Sequence, residues 1–232
     1  ATRERFLHYF PHYPRERTHL MPLGNRPTIR EQSPQAAAPL LQRLGVGDGP
    51  FWLGVGTVEP RKNYQLLIQA YAGWRNSSGL EWPLYIAGGR GWLESPIYQT
   101  IERLGLTQKV RFLGYVDDEE LSALYSSCFA FVFPSLYEGF GLPVLEAMSC
   151  GAPVIVSDRT SLPEVAGAAG FYIDPADQDG LRRQMQELTD QRQQRETWRQ
   201  ASRDQAKGFS WQAAARAALV AYDYACAQEP WY

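Results

Sequence analysis

The sequence has few cysteines, little net charge and no long apolar run, and each shortage excludes a class of protein. Its three cysteines lie far apart without a Cys-x-x-Cys pair, which argues against a disulfide framework or a zinc site and for a reducing compartment. We expect Cys128, Cys150 and Cys226 to be small buried apolar groups. Twenty-three basic and twenty-five acidic side chains leave a net charge of −2, so the composition argues against a nucleic-acid polymer as partner.

Segments that would direct the chain to a membrane are also missing. The longest uninterrupted apolar run is Cys128 to Phe133, far short of the ~20 residues that a membrane-spanning helix needs. Residues Ala1 to Phe6 lack the apolar core of a secretory signal. Together these absences predict a cytoplasmic chain without a transmembrane segment, and they leave open a peripheral attachment to the membrane through a partner domain.

The 232 residues are 44% hydrophobic and 21% charged, as in ordinary globular proteins, and suffice for one large domain. The middle of the chain alternates short apolar runs rich in β-formers with helical patterns, which indicates a parallel sheet covered on both faces. We therefore predict a doubly wound, Rossmann-like α/β domain over residues 45–209. Its predicted strands are 51–55, 84–87, 110–113, 129–133, 154–156 and 170–173.

The two ends of the chain differ from this middle part. Residues 1–28 are predicted to be a remnant of a preceding domain, and residues 29–44 a polar linker with too little apolar surface to fold alone. Ser210 is a good N-cap for a final helix over residues 210–232. Its apolar stripe is expected to pack toward the preceding domain, and comprises Trp211, Ala215, Ala218, Tyr222 and Ala225. The chain therefore looks like the second half of a two-domain protein.

The most informative segment runs from Pro134 to Met148, directly after a predicted strand. Its glycines allow a sharp turn close to a ligand, and Pro143 pre-sets the first turn of a helix whose amides attract an anion. Glu138 precedes the turn and Glu146 follows one turn into the helix, so both can face the crevice at the carboxyl ends of the strands. Carboxylates beside an anion site favour a sugar attached to a phosphate, because they accept hydrogen bonds from hydroxyls.

Two further strand ends carry residues suited to a phosphate ligand. The segment Gly54 to Asn63 places Arg61 and Lys62 side by side before a helix capped by Asn63, and a diphosphate would satisfy both cations. The segment Ile86 to Gly91 contains three glycines and an arginine, a composition that allows close approach of a ligand.

These segments together resemble the nucleotide-binding, C-terminal half of the retaining glycosyltransferases of family 4, the "group 1" family with the GT-B architecture. The resemblance covers about residues 45–222. It depends above all on Glu138 and Glu146, which have seven residues between them and lie within the Glu-Gly-Phe-Gly-Leu-Pro setting of that family. Residues 110–116, 151–155 and 162–165 are also similar in sequence to that family.

The resemblance implies specific roles for these residues. Glu146 would bind the ribose hydroxyls of the donor, Glu138 would lie near the transferred sugar, and Arg61 and Lys62 would hold the diphosphate, so that Glu138, Lys62 and Arg61 form the catalytic set. Thr57 stands where many relatives have an arginine, and Arg61 would supply that charge from another direction. Besides Glu146, the implied donor-binding residues are Gly56, Thr57, Gly88, Gly89, Arg90, Tyr115, Val116, Gly139, Phe140, Gly141 and Leu142.

The implied function is donor binding in an enzyme that moves a sugar from a nucleotide-diphosphate sugar to a glycan or lipid-linked acceptor. The anomeric configuration would be retained without a metal or other cofactor, and the Tyr137-to-Pro143 sequence suggests GDP-mannose as donor. The acceptor would bind through an N-terminal domain that this sequence lacks, so activity of the chain alone stays open. A non-catalytic nucleotide-sugar-binding module is the alternative. A dinucleotide-dependent oxidoreductase is disfavoured, because Glu59 replaces the third glycine of its fingerprint.

Other candidate sites have simpler interpretations. The acidic run Asp117 to Glu120 is better explained by helix capping than by metal binding, because acids are stabilised at a helix start. His8 and His12 are spaced like metal ligands on a helix, but Pro11 between them breaks that helix, so no metal site is predicted. Glu164 is expected to cap or brace a loop.

Overall fold

The computed structural model describes residues 1–89, 91 and 95–227, and its centre is a six-stranded parallel sheet. The strand order is β3-β2-β1-β4-β5-β6, and every neighbouring pair is parallel. The doubly wound α/β fold predicted from the sequence is therefore confirmed. The strands are β1 (Trp52–Val55), β2 (Leu84–Ala87), β3 (Val110–Gly114), β4 (Ala130–Phe133), β5 (Val154–Ser157) and β6 (Gly170–Ile173).

The two central strands, β1 and β4, are buried along their whole length. Successive side chains of a strand point to opposite faces, so each strand contributes to two separate parts of the core. Leu53 and Phe131 belong to the cluster on one face, whereas Trp52 and Val132 belong to the cluster on the other. Helices cover both faces, as continuous apolar strands require.

Ten α-helices lie in the described part of the chain, and several begin at side-chain caps. The Asp117 side chain accepts a hydrogen bond from the amide of Glu120, and the Glu120 side chain accepts one from the amide of Asp117, so the acidic run does cap a helix as predicted. Ser210 caps the last helix by accepting a hydrogen bond from the amide of Ala213. The helices are α1 (Thr2–Tyr9), α2 (Pro34–Arg43), α3 (Tyr64–Ser78), α4 (Ser95–Arg103), α5 (Asp118–Ser127), α6 (Leu142–Ser149), α7 (Leu162–Ala166), α8 (Gln178–Asp190), α9 (Arg195–Ala206) and α10 (Trp211–Cys226).

Residues 29–44, predicted as a linker, instead contain helix α2 and contribute to the core. Ser33 caps this helix, and Pro34 occupies its first turn. Its buried side chains Ala37 and Leu41, together with Ile29 before it, belong to the core cluster that also holds residues of α5. Only Ala37 and Leu41 of the helix are buried, and their spacing of four residues places them on one shared face, which average composition does not reveal.

The segment before α2 meets helix α10. Trp211 donates a hydrogen bond from Nε1 to the carbonyl of Asn25 at 2.8 Å, and Tyr224 contacts the His19 ring. Within the described chain Ala214 is the buried residue of α10 and Tyr222 is exposed, so the expected packing of the apolar stripe toward a preceding domain stays a prediction. A Cβ at Gly24 would lie 2.4 Å from the amide nitrogen of Trp211, so this glycine allows the start of the helix to approach the segment closely. Residues 18–23 form neither a helix nor a strand.

Two further predictions from the sequence concern the first helix and the cysteines. Helix α1 ends at Tyr9, before Pro11, so the expected helix break is confirmed. Cys128 and Cys150 are buried, and burial raises the pKa of each thiol to about 12. Cys226 is exposed, so the expectation that it would be buried was wrong; it lies in the last turn of α10, away from the sheet.

Candidate functional site

The carboxyl ends of β1 and β4 lie side by side at the centre of the sheet. From β1 the chain proceeds to β2 on one side, and from β4 it proceeds to β5 on the other, so the strand order reverses between them. In open parallel sheets, ligands bind in the crevice that opens at such a switch point. The two loops predicted to carry the chemistry, which follow β1 and β4, therefore meet at this crevice.

Direct hydrogen bonds hold these two loops together. The Leu136 amide donates to the carbonyl of Arg61 at 2.9 Å. Asn63 donates from Nδ2 to the carbonyls of Pro134 at 3.2 Å and Pro175 at 2.8 Å. Asn63 precedes α3 as predicted, but its side chain makes no cap hydrogen bond, because it is used to tie three loops together.

Glu138 forms an ion cluster with the two predicted cations. Its Oε1 lies 2.8 Å from Lys62 Nζ and 2.7 Å from Arg61 Nη1, and Arg61 also pairs with Glu59 at 2.5 Å. Lys62 is 6% exposed, and its Nζ lies 4.4 Å from the centre of the Phe133 ring. Burial lowers the pKa of Lys62, and the bond to Glu138 opposes that shift.

The backbone of Glu138 is held by the loop that follows β5. Its amide donates to Oγ1 of Thr160 at 3.2 Å, and its carbonyl accepts from Oγ of Ser161 at 3.0 Å. Thr160 has a φ of +56°, which is costly for a β-branched side chain. The sequence analysis did not single out either residue, because their position after a strand is their only signal and their contact with Glu138 spans more than twenty residues of sequence.

Glu146 belongs to a second ion cluster. It is 3% exposed, and its Oε1 accepts from Arg26 Nε at 2.6 Å, while Arg26 Nη1 donates to Asp118 Oδ1 at 2.8 Å. Burial raises the pKa of Glu146, and the bond to Arg26 opposes that shift. Arg26 was not predicted, because it lies 120 residues from its partner, and Asp118 was predicted only as part of a helix start.

Two predicted glycines are required by packing. A Cβ at Gly88, where φ is +145°, would lie 2.3 Å from the carbonyl oxygen of Gly56, so this glycine lets the loops after β1 and β2 touch. Gly141 has a φ of +104° at the start of α6, and a Cβ there would lie 2.7 Å from Leu162. By contrast, nothing lies within 4 Å of a Cβ at Gly139. Its surroundings leave room for a ligand.

The remaining predicted residues lie on the loops at the same edge of the sheet. Thr57 and Gly89 follow β1 and β2, and Tyr115, at 86% exposure, and Val116 follow β3. Phe140 and Leu142 flank the start of α6, where the Phe140 ring contacts Phe209 at 5.8 Å. Arg90 lies outside the described residues.

A cavity of about 420 Å³ borders the Glu138 cluster and is lined by Glu138, Tyr137, Thr160 and Arg159 on one side and by Thr2 and Arg5 of α1 on the other. Thr2 donates to the carbonyl of Gly139 at 3.2 Å. In the part of the chain that the structure describes, no group of three His, Cys, Asp or Glu side chains could hold a metal ion. Nor does any helix within residues 1–89, 91 and 95–227 have the length and hydropathy needed to span a bilayer.

The sequence of the chain matches a family model and curated proteins. Residues 42–205 match the family model described as glycosyl transferases group 1. The chain is 40% identical over 215 residues to the O-antigen chain mannosyltransferase B of Escherichia coli, an alignment that covers 90% of this chain and 55% of that protein. The chain thus spans about half the length of this curated relative.

Solved structures with the same fold include sucrose-phosphate synthase from Thermosynechococcus elongatus. The TM-score is 0.77 with 26% sequence identity, and the match covers 91% of this chain and 53% of that protein. Anabaena HepE, solved in complex with UDP and glucose, matches with a TM-score of 0.75 and 25% identity over 86% of this chain and 55% of HepE.

Proposed function

The chain belongs to the glycosyl transferases group 1 family, and from that membership we propose that it is the donor-binding part of a retaining hexosyltransferase. The reaction moves a sugar from a nucleotide-diphosphate sugar to a glycan or lipid-linked acceptor. The 40% identity to an O-antigen mannosyltransferase supports mannose as that sugar, and GDP-mannose is the proposed donor. The acceptor binds with the help of residues beyond this chain.

One observation carries the proposal: at the switch point between β1 and β4, the buried Lys62 and Glu138 side chains form an ion cluster with the partly exposed Arg61. Burying charged side chains costs free energy that packing alone does not return, so such a cluster in a crevice is a candidate functional site. Two cations suit the two phosphates of a nucleoside diphosphate, and the carboxylate suits the hydroxyls of a sugar beside them.

These groups explain how the chain promotes transfer. As the bond between sugar and diphosphate breaks, negative charge grows on the leaving oxygen, and Lys62, Arg61 and the first amides of α6 stabilise it. That oxygen takes the acceptor proton on the same face of the sugar, which retains the anomeric configuration. Glu138 orients the sugar hydroxyls. Since the protein supplies positive charge itself, we propose that no metal or organic cofactor is needed.

Binding of the donor nucleotide tests this proposal. Calorimetric titration with GDP, UDP, ADP and dTDP is expected to show one preferred nucleotide, GDP. Lys62→Ala and Glu146→Ala are each expected to weaken its binding about tenfold or more, since each removes a charged hydrogen-bonding group.

Matched controls come from an ion pair elsewhere on the surface. Lys109 and Glu81 pair at 2.6 Å in the loops that precede β3 and β2, at the opposite end of the strands from the crevice, so Lys109→Ala and Glu81→Ala should bind the nucleotide as the unmodified chain does. Absence of binding by all four nucleotides would contradict the proposal, as would equal losses in the site and control variants.

A further inference from the structure

Helix α6 carries a carboxylate where the fold alone would favour an apolar side chain. Val144, Leu145, Ala147 and Met148 are all fully buried, and Glu146 lies among them with 3% exposure. An ionised group in such a place destabilises the fold unless it is well paired, and an apolar residue of similar volume would serve packing as well or better. Glu146 therefore needs both a partner that keeps it charged and a reason to be there.

The partner is Arg26, from the segment between α1 and α2. Its guanidinium bridges two carboxylates on two different helices, Glu146 on α6 and Asp118 on α5, at 2.6 and 2.8 Å. Thr28 donates a hydrogen bond to the other oxygen of Asp118 at 2.5 Å, so the bridge is held from both sides. The Arg26 side chain is 42% exposed, which places it between the buried carboxylate and solvent.

We propose that Arg26 is a positioning residue for donor binding, which holds the Glu146 carboxylate ionised and oriented for the nucleotide. This inference rests on the proposed function, in which Glu146 accepts hydrogen bonds from the ribose. The bond from Arg26 occupies one carboxylate oxygen and fixes the rotamer of the side chain. The neighbouring Asp118 then supplies the negative charge that keeps Arg26 in place.

Removing the Arg26 charge should make nucleotide binding depend on pH. Glu146 faces Arg26 from the segment before α2, and Asp118 and Tyr125 from α5. Burial already raises the pKa of Glu146, and loss of Arg26 would leave it opposite a like charge, which raises that pKa further. The pKa of Tyr125 lies well above its ordinary value because of burial, so this phenol stays protonated near neutrality.

The experiment compares Arg26→Met, Arg26→Lys and the unmodified chain by calorimetry with the best-binding of GDP, UDP, ADP and dTDP, at about pH 6 and about pH 8. We expect Arg26→Met to bind about tenfold more weakly at the higher pH and to lose clearly more at the lower pH. Arg26→Lys should restore most of the affinity. Ratios to the unmodified chain cancel the titration of the nucleotide itself.

Arg43→Met is the matched control. Arg43 also joins the part of the chain before β1 to helix α5, through an ion pair with Glu120 at 3.0 Å. Neither Arg43 nor Glu120 forms an ion pair with Glu146 or Asp118 among the described residues. If Arg26→Met binds like Arg43→Met at both pH values, the inference is overturned and the proposed function stands. A uniform loss without pH dependence and without rescue by Arg26→Lys also overturns it. If the unmodified chain binds none of the four nucleotides, the proposed function and the inference both fail.

Discussion

Lys62, Glu138 and Glu146 are charged side chains that are each at most 10% exposed, and all three were singled out from the sequence. Their motif places glycines and a proline around them, so local sequence was sufficient. Their partners were harder to predict: Thr160 has no signal besides its position after a strand, Arg26 lies in a segment without any, and only the folded chain brings them to the carboxylates. Which distant side chains pair with each other depends on how the whole chain folds, and a single sequence does not reveal these contacts.

Asn63 is a residue whose substitution should separate backbone strain from side-chain bonding. Its φ is +56°, and its side chain donates to two carbonyls. Asn63→Ala is expected to destabilise the fold by about 2–3 kcal/mol, because it loses two hydrogen bonds and because alanine tolerates the left-handed conformation less well than asparagine. Asn63→Gly should cost about 1 kcal/mol less, since glycine accepts that conformation. Urea unfolding midpoints measure both.

Asn76 provides the comparison for Asn63. It is an exposed asparagine within α3, so Asn76→Ala should change the free energy of unfolding by less than about 0.5 kcal/mol. Equal stabilities of Asn63→Ala and Asn63→Gly would show that the left-handed backbone contributes nothing at this position.

At the scale of whole elements, all six strands were predicted within one residue of their observed bounds, because each is a short, mostly apolar run between turn residues, interrupted only by Arg111 in β3. Helix α2 was missed for the opposite reason. Its sequence is rich in alanine, proline and glutamine, and its two buried side chains gain their significance only from the neighbouring α5. An apolar run between turn residues is enough to predict a strand. A helix with a narrow apolar face cannot be predicted from the average composition of its segment.

The contribution of α2 to the domain can be measured at Leu41. Leu41→Ala is expected to destabilise the chain by about 2–4 kcal/mol, the usual range for emptying a buried leucine site. Gln42→Ala, one residue further along and exposed, should have almost no effect. If the two variants unfold at the same urea concentration, residues 29–44 behave as the linker that the sequence analysis expected.

At the scale of the molecule, the order of the strands explains why residues far apart in sequence form one site. The chain proceeds from β1 toward one edge of the sheet and from β4 toward the other, so the two loops with the charged residues open into the same crevice. A second cavity, of about 710 Å³, lies at the opposite end of the sheet and is lined by Ser33, Phe51, Ser126 and Arg199. It holds none of the residues that the group 1 resemblance implies.

Hydrogen exchange of the whole chain with and without GDP distinguishes these two ends. Amides that exchange by local opening should slow at residues 56–62 and 134–142 and around Arg26, and stay unchanged near Ser33 and Gly47. Amides of the central strands exchange through global unfolding. Their exchange rates should therefore fall throughout the sheet, by about a hundredfold when GDP is present at about one hundred times its Kd. If the amides near Ser33 and Gly47 are protected instead, the nucleotide binds at the other end of the sheet. That result would contradict the roles proposed for Lys62 and Glu146.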